Sequence, residues 1–205
     1  MKVLCYCEAN SKTGFGHFSR VAILIKIIKK KYPNTKFEIF TSNKKEAKNF
    51  FKSKIVFSKN IFHFIKGNKD QYNLIILDPP YYEGNENSKL NDELKKIFLI
   101  NNRKFKILKL TDETKPTSQF CDYLINDYPL SINFKRKYKS INKKMVLFLG
   151  IYAFLYPDLV LKKFKNSKKK YKFLIVFGGK DPKNLAKKYF KPLRRLKIKK
   201  IFILN

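Results

Sequence analysis

The sequence predicts an α/β protein: a parallel sheet sandwiched between helices on both faces. Three observations carry this. Short apolar runs alternate with runs of helical period from Lys2 to Leu149, the pattern of repeated strand-helix units. YNLIILD, residues 72–78, is continuously apolar between polar ends, as expected for a strand buried on both faces in the middle of a parallel sheet. Two glycines follow the first apolar run, in TGFGHFSR, where such a fold must turn sharply from strand into helix. Together they describe a Rossmann-like sheet.

The elements follow in order. KVLCYCE is the first strand. FSRVAILIKIIKKKY places Val21, Leu24, Ile25 and Ile28 at the three-and-four spacing of a helix with one packed face. FEIFTSN reads as a strand, KEAKNFFKS as a short helix, and KIVFS as another short apolar element, with IFHFIKG after it. His63, inside that aromatic segment, is expected to pack. After YNLIILD, the run NDELKKIFLINN is helical, FKILKLTDE and CDYLIND are strands, and MVLFLG closes the series. KFLIVFGGKDPKNLAKKYF restarts it with a strand, two glycines and a helix, for which Asp181 is the expected cap and Pro182 the first position. A last apolar segment, KIFILN, reads as a further strand.

Composition narrows the function classes. The formal charge is +32, which by itself points to nucleic acid or anionic surfaces. Lysine, however, far outnumbers arginine and is spread along the chain, whereas planar, bidentate recognition of phosphates and bases favours arginine. The expectation is therefore weak, salt-sensitive association with anionic surfaces and no specific nucleic-acid partner. No apolar run is long enough for a membrane helix, and the chain enters a strand at once, so a cytoplasmic protein without a signal peptide is expected. Cys5, Cys7 and Cys121 form no metal-binding spacing; they read as reduced, packed thiols, and neither a metal nor a cofactor is expected.

Two stretches carry chemistry. In TGFGHFSR, Gly14 and Gly16 permit a tight turn and close backbone approach, His17 falls in the first turn of the following helix, and Arg20 lies one turn on along the same side. A histidine there can take a proton from water near neutral pH. The dinucleotide fingerprint is not completed, because Arg20 stands near the place of its third glycine. In LIILDPPYYEG, Asp78 and Tyr81 follow the central strand, which puts them at the same carboxyl edge as His17. D-P-P-Y also resembles the catalytic loop of amino-methyltransferases that use adenosylmethionine. That family wants a carboxylate at the end of its second strand, and FEIFTSN offers none before Glu46.

Taken in order, the motifs resemble the nucleotide-sugar hydrolases of the pseudaminic acid pathway, relatives of two-domain GT-B glycosyltransferases and of spore-coat polysaccharide proteins. Those proteins open with a strand, an acidic residue and G-x-G-H-x-x-R, matched by Glu8, Gly14, Gly16, His17 and Arg20. Asp78 with Tyr81 matches a central-strand pair. Cys121, Asp122 and Asp127 match a C-D-x-x-I-x-D segment, Gly150 and Tyr152 an interdomain stretch, and Gly178, Gly179, Asp181, Pro182 and Asn184 a G-G-x-D-P-x-N motif. Four departures stand out: Glu8 replaces the usual aspartate, Tyr6 and Tyr156 occupy arginine positions, and Gly150 is one residue closer to Tyr152 than usual.

The resemblance implies hydrolysis of a UDP-linked diacetamido trideoxy sugar, used for a surface glycan, with His17 as the base for water attack on the anomeric carbon. Asp78 or Glu8 would orient the histidine or a sugar hydroxyl, and Arg20 would hold substrate or fix the helix. Tyr81, Tyr152, Gly178, Gly179, Asp181 and Asn184 would complete the substrate site. It also implies a GT-B-type N-terminal domain over 1–156, a linker over 157–171, and over 172–205 the start of a second Rossmann-like domain. An α/β domain does not close on about 35 residues, so either this tail extends the first sheet or the missing part is expected further along a longer natural protein or on a second chain. A truncated, non-catalytic homologue, an amino-methyltransferase and a nonspecific basic nucleic-acid binder are the alternative readings.

Overall fold

The computed structural model describes residues 1–9, 14–58, 60–79, 92, 93, 95–100, 103–114, 120–153, 173–176, 188 and 201–204. The chain divides into two compact units, Met1–Glu8 with His17–Leu155, and Ala9–Gly16 with Tyr156–Asn205.

The first unit is built on seven strands: β1 (Lys2–Cys7), β2 (Lys36–Phe40), β3 (Lys54–Val56), β4 (Leu74–Asp78), β5 (Lys106–Thr111), β6 (Tyr123–Asn126) and β7 (Val146–Leu149). They form one sheet in the order β3-β2-β1-β4-β5-β6-β7, and every neighbouring pair is parallel. The chain winds outward from β1 through β2 to β3, then returns to lay β4 on the other side of β1. The order reverses between β1 and β4, which is the topological switch point of a doubly wound, Rossmann-like sheet.

Alternation along the strands sorts the residues onto two faces. One face carries Leu4, Tyr6, Ile75, Leu77, Ile107 and Leu124, and onto it pack helix α3 (Ile61–Gly67) through Ile61 and Ile65, Ile97 from the helical residues 95–98, and helix α4 (Lys135–Ile141) through Tyr138. The other face carries Val3, Cys5, Cys7, Ile39, Ile76 and Asp78, all buried. Helix α1 (Gly16–Lys31) buries Phe18, Val21, Leu24 and Ile25 there. Phe18 also meets Phe50 and Phe51, at the end of helix α2 (Lys44–Phe50), edge-on at 5.5 Å. The predicted packed face of α1 is thus present, shifted one turn toward its start, because Ile28 is only partly buried where the helix runs off the sheet.

IFHFIKG, left without an element type by its pattern, forms helix α3. Asn60 caps it, its side chain accepting a hydrogen bond from the His63 N–H at 2.9 Å. The expectation that His63 packs is corrected: it is exposed, its ring edge-on to Phe62, because helical spacing gives the buried side to Ile61 and Ile65. All three cysteines are buried and free. Burial pushes the Cys121 thiol up to about 12 and raises those of Cys5 and Cys7 as well, so they are core residues without nucleophilic character.

In the second unit, β8 (Phe173–Val176) and β9 (Ile201–Leu204) form a separate two-stranded parallel sheet, with Phe173 opposite Ile201. The helix predicted between them, with Asp181 as cap and Pro182 at its first position, lies outside the described residues apart from Lys188. Among the described residues, no helix is long and apolar enough to cross a membrane.

Candidate functional site

At the switch point the end of β4 and the start of α1 bring three predicted residues together. Asp78 is the last residue of β4, paired in register with Cys7 of β1, and its side chain is fully buried at 0 % exposure. A carboxylate so placed needs charged or hydrogen-bonding partners to offset its lost hydration. His17 supplies one: its Nδ1 lies 2.9 Å from Asp78 Oδ1. Arg20 supplies two more, donating from Nε to Oδ2 at 3.2 Å and from Nη2 to Oδ1 at 2.7 Å, the fork geometry that matches a guanidinium to a carboxylate. Helical spacing makes this possible, since residues three apart on α1 share one side.

Two carboxylates not named as site residues by the sequence reading complete the cluster. Asp112, just past β5, lies 3.4 Å from Arg20 Nη1, and Asp127, just past β6, lies 3.8 Å from it. Burial opposes the charge of Arg20, yet the facing Asp78 carboxylate, with Asp112 and Asp127 behind it, holds the guanidinium above its ordinary value. Burial likewise pushes the Asp127 carboxyl up; Arg20 opposes this, while Asp112 and Asp78 add to it. A sequence signal for both was present: three successive strands end in an acid, LIILD, KLTD and LIND, and in a parallel sheet those ends share one edge.

Lys109 is a further buried polar residue of this region. It lies on β5 opposite Leu77, its Nζ 3.9 Å from Glu113, and burial lowers its pKa against the pull of Glu113, Cys121 and Asp78. Strand alternation places it on the sheet face opposite Asp78.

The other predicted residues fall differently. Glu8 reaches the same carboxyl edge, but its carboxylate accepts hydrogen bonds from the Ser42 N–H and hydroxyl, both at 2.7 Å, and from the Thr41 hydroxyl at 3.0 Å. It ties the end of β1 to the turn after β2 and, among the described residues, has no bond to His17. Gly14 has φ +75°, a left-handed conformation that favours glycine. Gly16 opens α1 without one, and a Cβ at either position would meet no atom within 4 Å. Tyr152 lies in the short turn Gly150–Ala153 that follows β7. Tyr81, Gly178, Gly179, Asp181 and Asn184 lie outside the described residues.

Asp122 belongs to the opposite end of the sheet. Arg103 grips it with two bonds of 2.7 and 3.0 Å, and the Ile107 N–H donates a third at 2.8 Å. Burial works against its charge, but these donors hold its carboxyl below the usual range. Its part is structural. Within C-D-x-x-I-x-D, only Asp127 reaches the cluster at the switch point.

No protein-family model and no curated protein matches the chain.

Proposed function

We propose that the chain acts on a nucleotide-linked amino sugar, with His17 as the base that prepares water for attack at the anomeric carbon. In this reaction the water oxygen bonds to the anomeric carbon, the bond from that carbon to the diphosphate oxygen breaks, and the water proton passes to His17. The leaving group is UDP, and the product sugar serves a surface glycan. In the same reading, the seven-stranded unit is the N-terminal domain of a GT-B-type fold, 157–171 is a linker, and β8 and β9 begin a second Rossmann-like domain.

The observation that carries the proposal is the contact between His17 and fully buried Asp78, 2.9 Å, at the switch point of a parallel sheet. A base oriented by a buried carboxylate is an arrangement that general-base catalysis uses, and ligands of such sheets bind in the crevice at this point. The amino end of α1, whose first turn contains no acidic residue, offers backbone N–H groups to a diphosphate. The same contacts argue against the methyltransferase reading. Both oxygens of Asp78 are engaged by His17 and Arg20, so that carboxylate is not presented to the amino group of a base.

The test, on protein supplied with the remainder of the second domain, is UDP release, followed chromatographically, from UDP-linked diacetamido trideoxy sugars, with UDP-linked N-acetylhexosamines alongside. Loss of at least about 100-fold in rate is expected for His17→Ala, with the circular dichroism unchanged. Release at the wild-type rate by His17→Ala, or no release by the wild-type protein from any of these donors, would overturn the proposal.

A further inference from the structure

The three atoms that meet at the switch point form a closed triangle. Arg20 Nη2 is 2.7 Å from Asp78 Oδ1, Asp78 Oδ1 is 2.9 Å from His17 Nδ1, and His17 Nδ1 is 3.1 Å from Arg20 Nη2. Not all three sides can be hydrogen bonds. The triangle is nearly equilateral, so the directions from Nη2 to Oδ1 and to Nδ1 differ by about 60°, whereas the two N–H bonds of a planar guanidinium nitrogen diverge by about 120°. Nη2 can therefore aim a proton well at only one of them. The shorter distance and the full negative charge both select Oδ1. If Nδ1 carried a lone pair, it would face the Oδ1 lone pairs at 2.9 Å inside a buried site, two acceptors with no proton between them. With a proton on Nδ1, the imidazole donates to Oδ1 and every short contact to the carboxylate is satisfied.

The structure assigns to Arg20 the part of a positioning residue: by holding Asp78 in this orientation, it fixes neutral His17 as the Nδ1–H tautomer and leaves Nε2 as the lone pair that takes the proton. Arg20 is thereby removed from substrate recognition. Its Nε and Nη2 are spent on Asp78, its Nη1 faces Asp112 and Asp127, and a guanidinium enclosed by three carboxylates is a poor ligand for a diphosphate. Asp112 and Asp127 anchor the far side of the fork, which keeps the guanidinium from turning toward an incoming anion.

The catalytic meaning of the tautomer rests on His17 being the base; the tautomer itself stands on the triangle alone. Long-range 1H–15N spectra of the 15N-histidine-labelled protein, at a pH where His17 is neutral, show which ring nitrogen carries the proton. The chain has only two histidines, and exposed His63 serves as an internal reference for the Nε2–H form that a solvated imidazole favours. His17 is expected to show Nδ1–H in at least about nine molecules of ten. Arg20→Lys keeps the charge but loses the planar fork, and should return His17 to a mixture of tautomers. A wild-type His17 protonated on Nε2, or a folded Arg20→Lys protein with an unchanged tautomer, overturns the assignment. Should Arg20→Lys fail to fold, exchange of the Arg20 Nε–H in the wild-type protein decides: slow exchange supports the lock and free exchange overturns it. UDP release together with an Nε2–H tautomer would sink this inference alone. An Nδ1–H tautomer without UDP release would sink the proposed function and leave the inference standing.

Discussion

Arg20→Ala would strand a charge. In the folded protein Asp78 is 0 % and Arg20 17 % exposed at the side chain, and the variant removes two of the three hydrogen bonds that Asp78 receives among the described residues. With charge centres about 4 Å apart and an effective dielectric of about 20, the lost attraction is about 4 kcal/mol. That agrees with the roughly 3–5 kcal/mol typical of breaking a buried pair by deleting one partner. The contacts of Arg20 to Asp112 and Asp127 are longer, 3.4 and 3.8 Å, so each adds less than the Asp78 pair, and that of Asp112, 67 % exposed, adds least.

Removing Asp78 instead should cost less, because Arg20 keeps Asp112 and Asp127 as partners. Arg20→Ala combined with Asp78→Ala should be no worse than Arg20→Ala alone, since the double variant buries no orphan charge, giving a coupling of about 2–4 kcal/mol. Urea melts at constant pH and salt would read the full cycle, with a midpoint drop in heat of roughly 6–20 °C expected for Arg20→Ala in a domain of this size. A loss below about 1 kcal/mol for Arg20→Ala, or two single-variant losses that simply add in the double variant, would refute the reasoning.

Three further outcomes are expected. Burial raises the Asp127 carboxyl, so the folded state holds that proton more tightly than the unfolded chain; its contribution to stability is present below the unfolded value of about 3.9 and is lost as pH rises through the folded one. Asp127→Asn should therefore gain stability relative to wild type between about pH 3.5 and 7, and a relative loss over that range in paired thermal melts would contradict the sign. Gly150 has φ +77°, and a Cβ there would stand 3.3 Å from the Pro129 carbonyl oxygen. Gly150→Ala should thus lose about 1–3 kcal/mol in urea melts, whereas Gly67→Ala, in open space without a positive φ, should lose nothing. Binding to random duplex DNA, read by fluorescence anisotropy, should weaken steeply as salt rises from about 50 to 200 mM, with no preferred sequence; tight, selective binding at the higher salt would show that the charge recognises nucleic acid.

The sequence by itself determined the strand-helix rhythm. The strands among the described residues all fall in apolar runs of the sequence, every one but β3 in a run read as a strand, and α1 starts where the glycines of TGFGHFSR indicate, because burial on a parallel sheet writes itself into local periodicity. It also placed His17 and Arg20 on one side of a helix and Asp78 at a strand end, since one turn of helix and one strand terminus are local facts. Strand order was not local. That β4 returns to lie beside β1 and not beside β3 follows from how two layers of helices cover one sheet, and this neighbour relation alone brings Asp78 to His17 across 61 positions of chain.

For the same reason, it took the folded sheet to gather Asp112 and Asp127 onto Arg20: the first follows β5, the neighbour of β4, and the second follows β6, the neighbour of β5. Their acids look, one at a time, like ordinary strand-end residues. The structure also separated Asp122 from Asp127, five residues apart in one motif: β6 carries the first at the amino edge against Arg103 and the second at the carboxyl edge beside Arg20. Glu8, an acid at the right edge, was turned away from His17 by three closer donors on Thr41 and Ser42. Residue type and spacing show which groups can do chemistry. Which of them remain available is decided by the partners that the folded chain supplies, because a buried charge takes the nearest donors it is given.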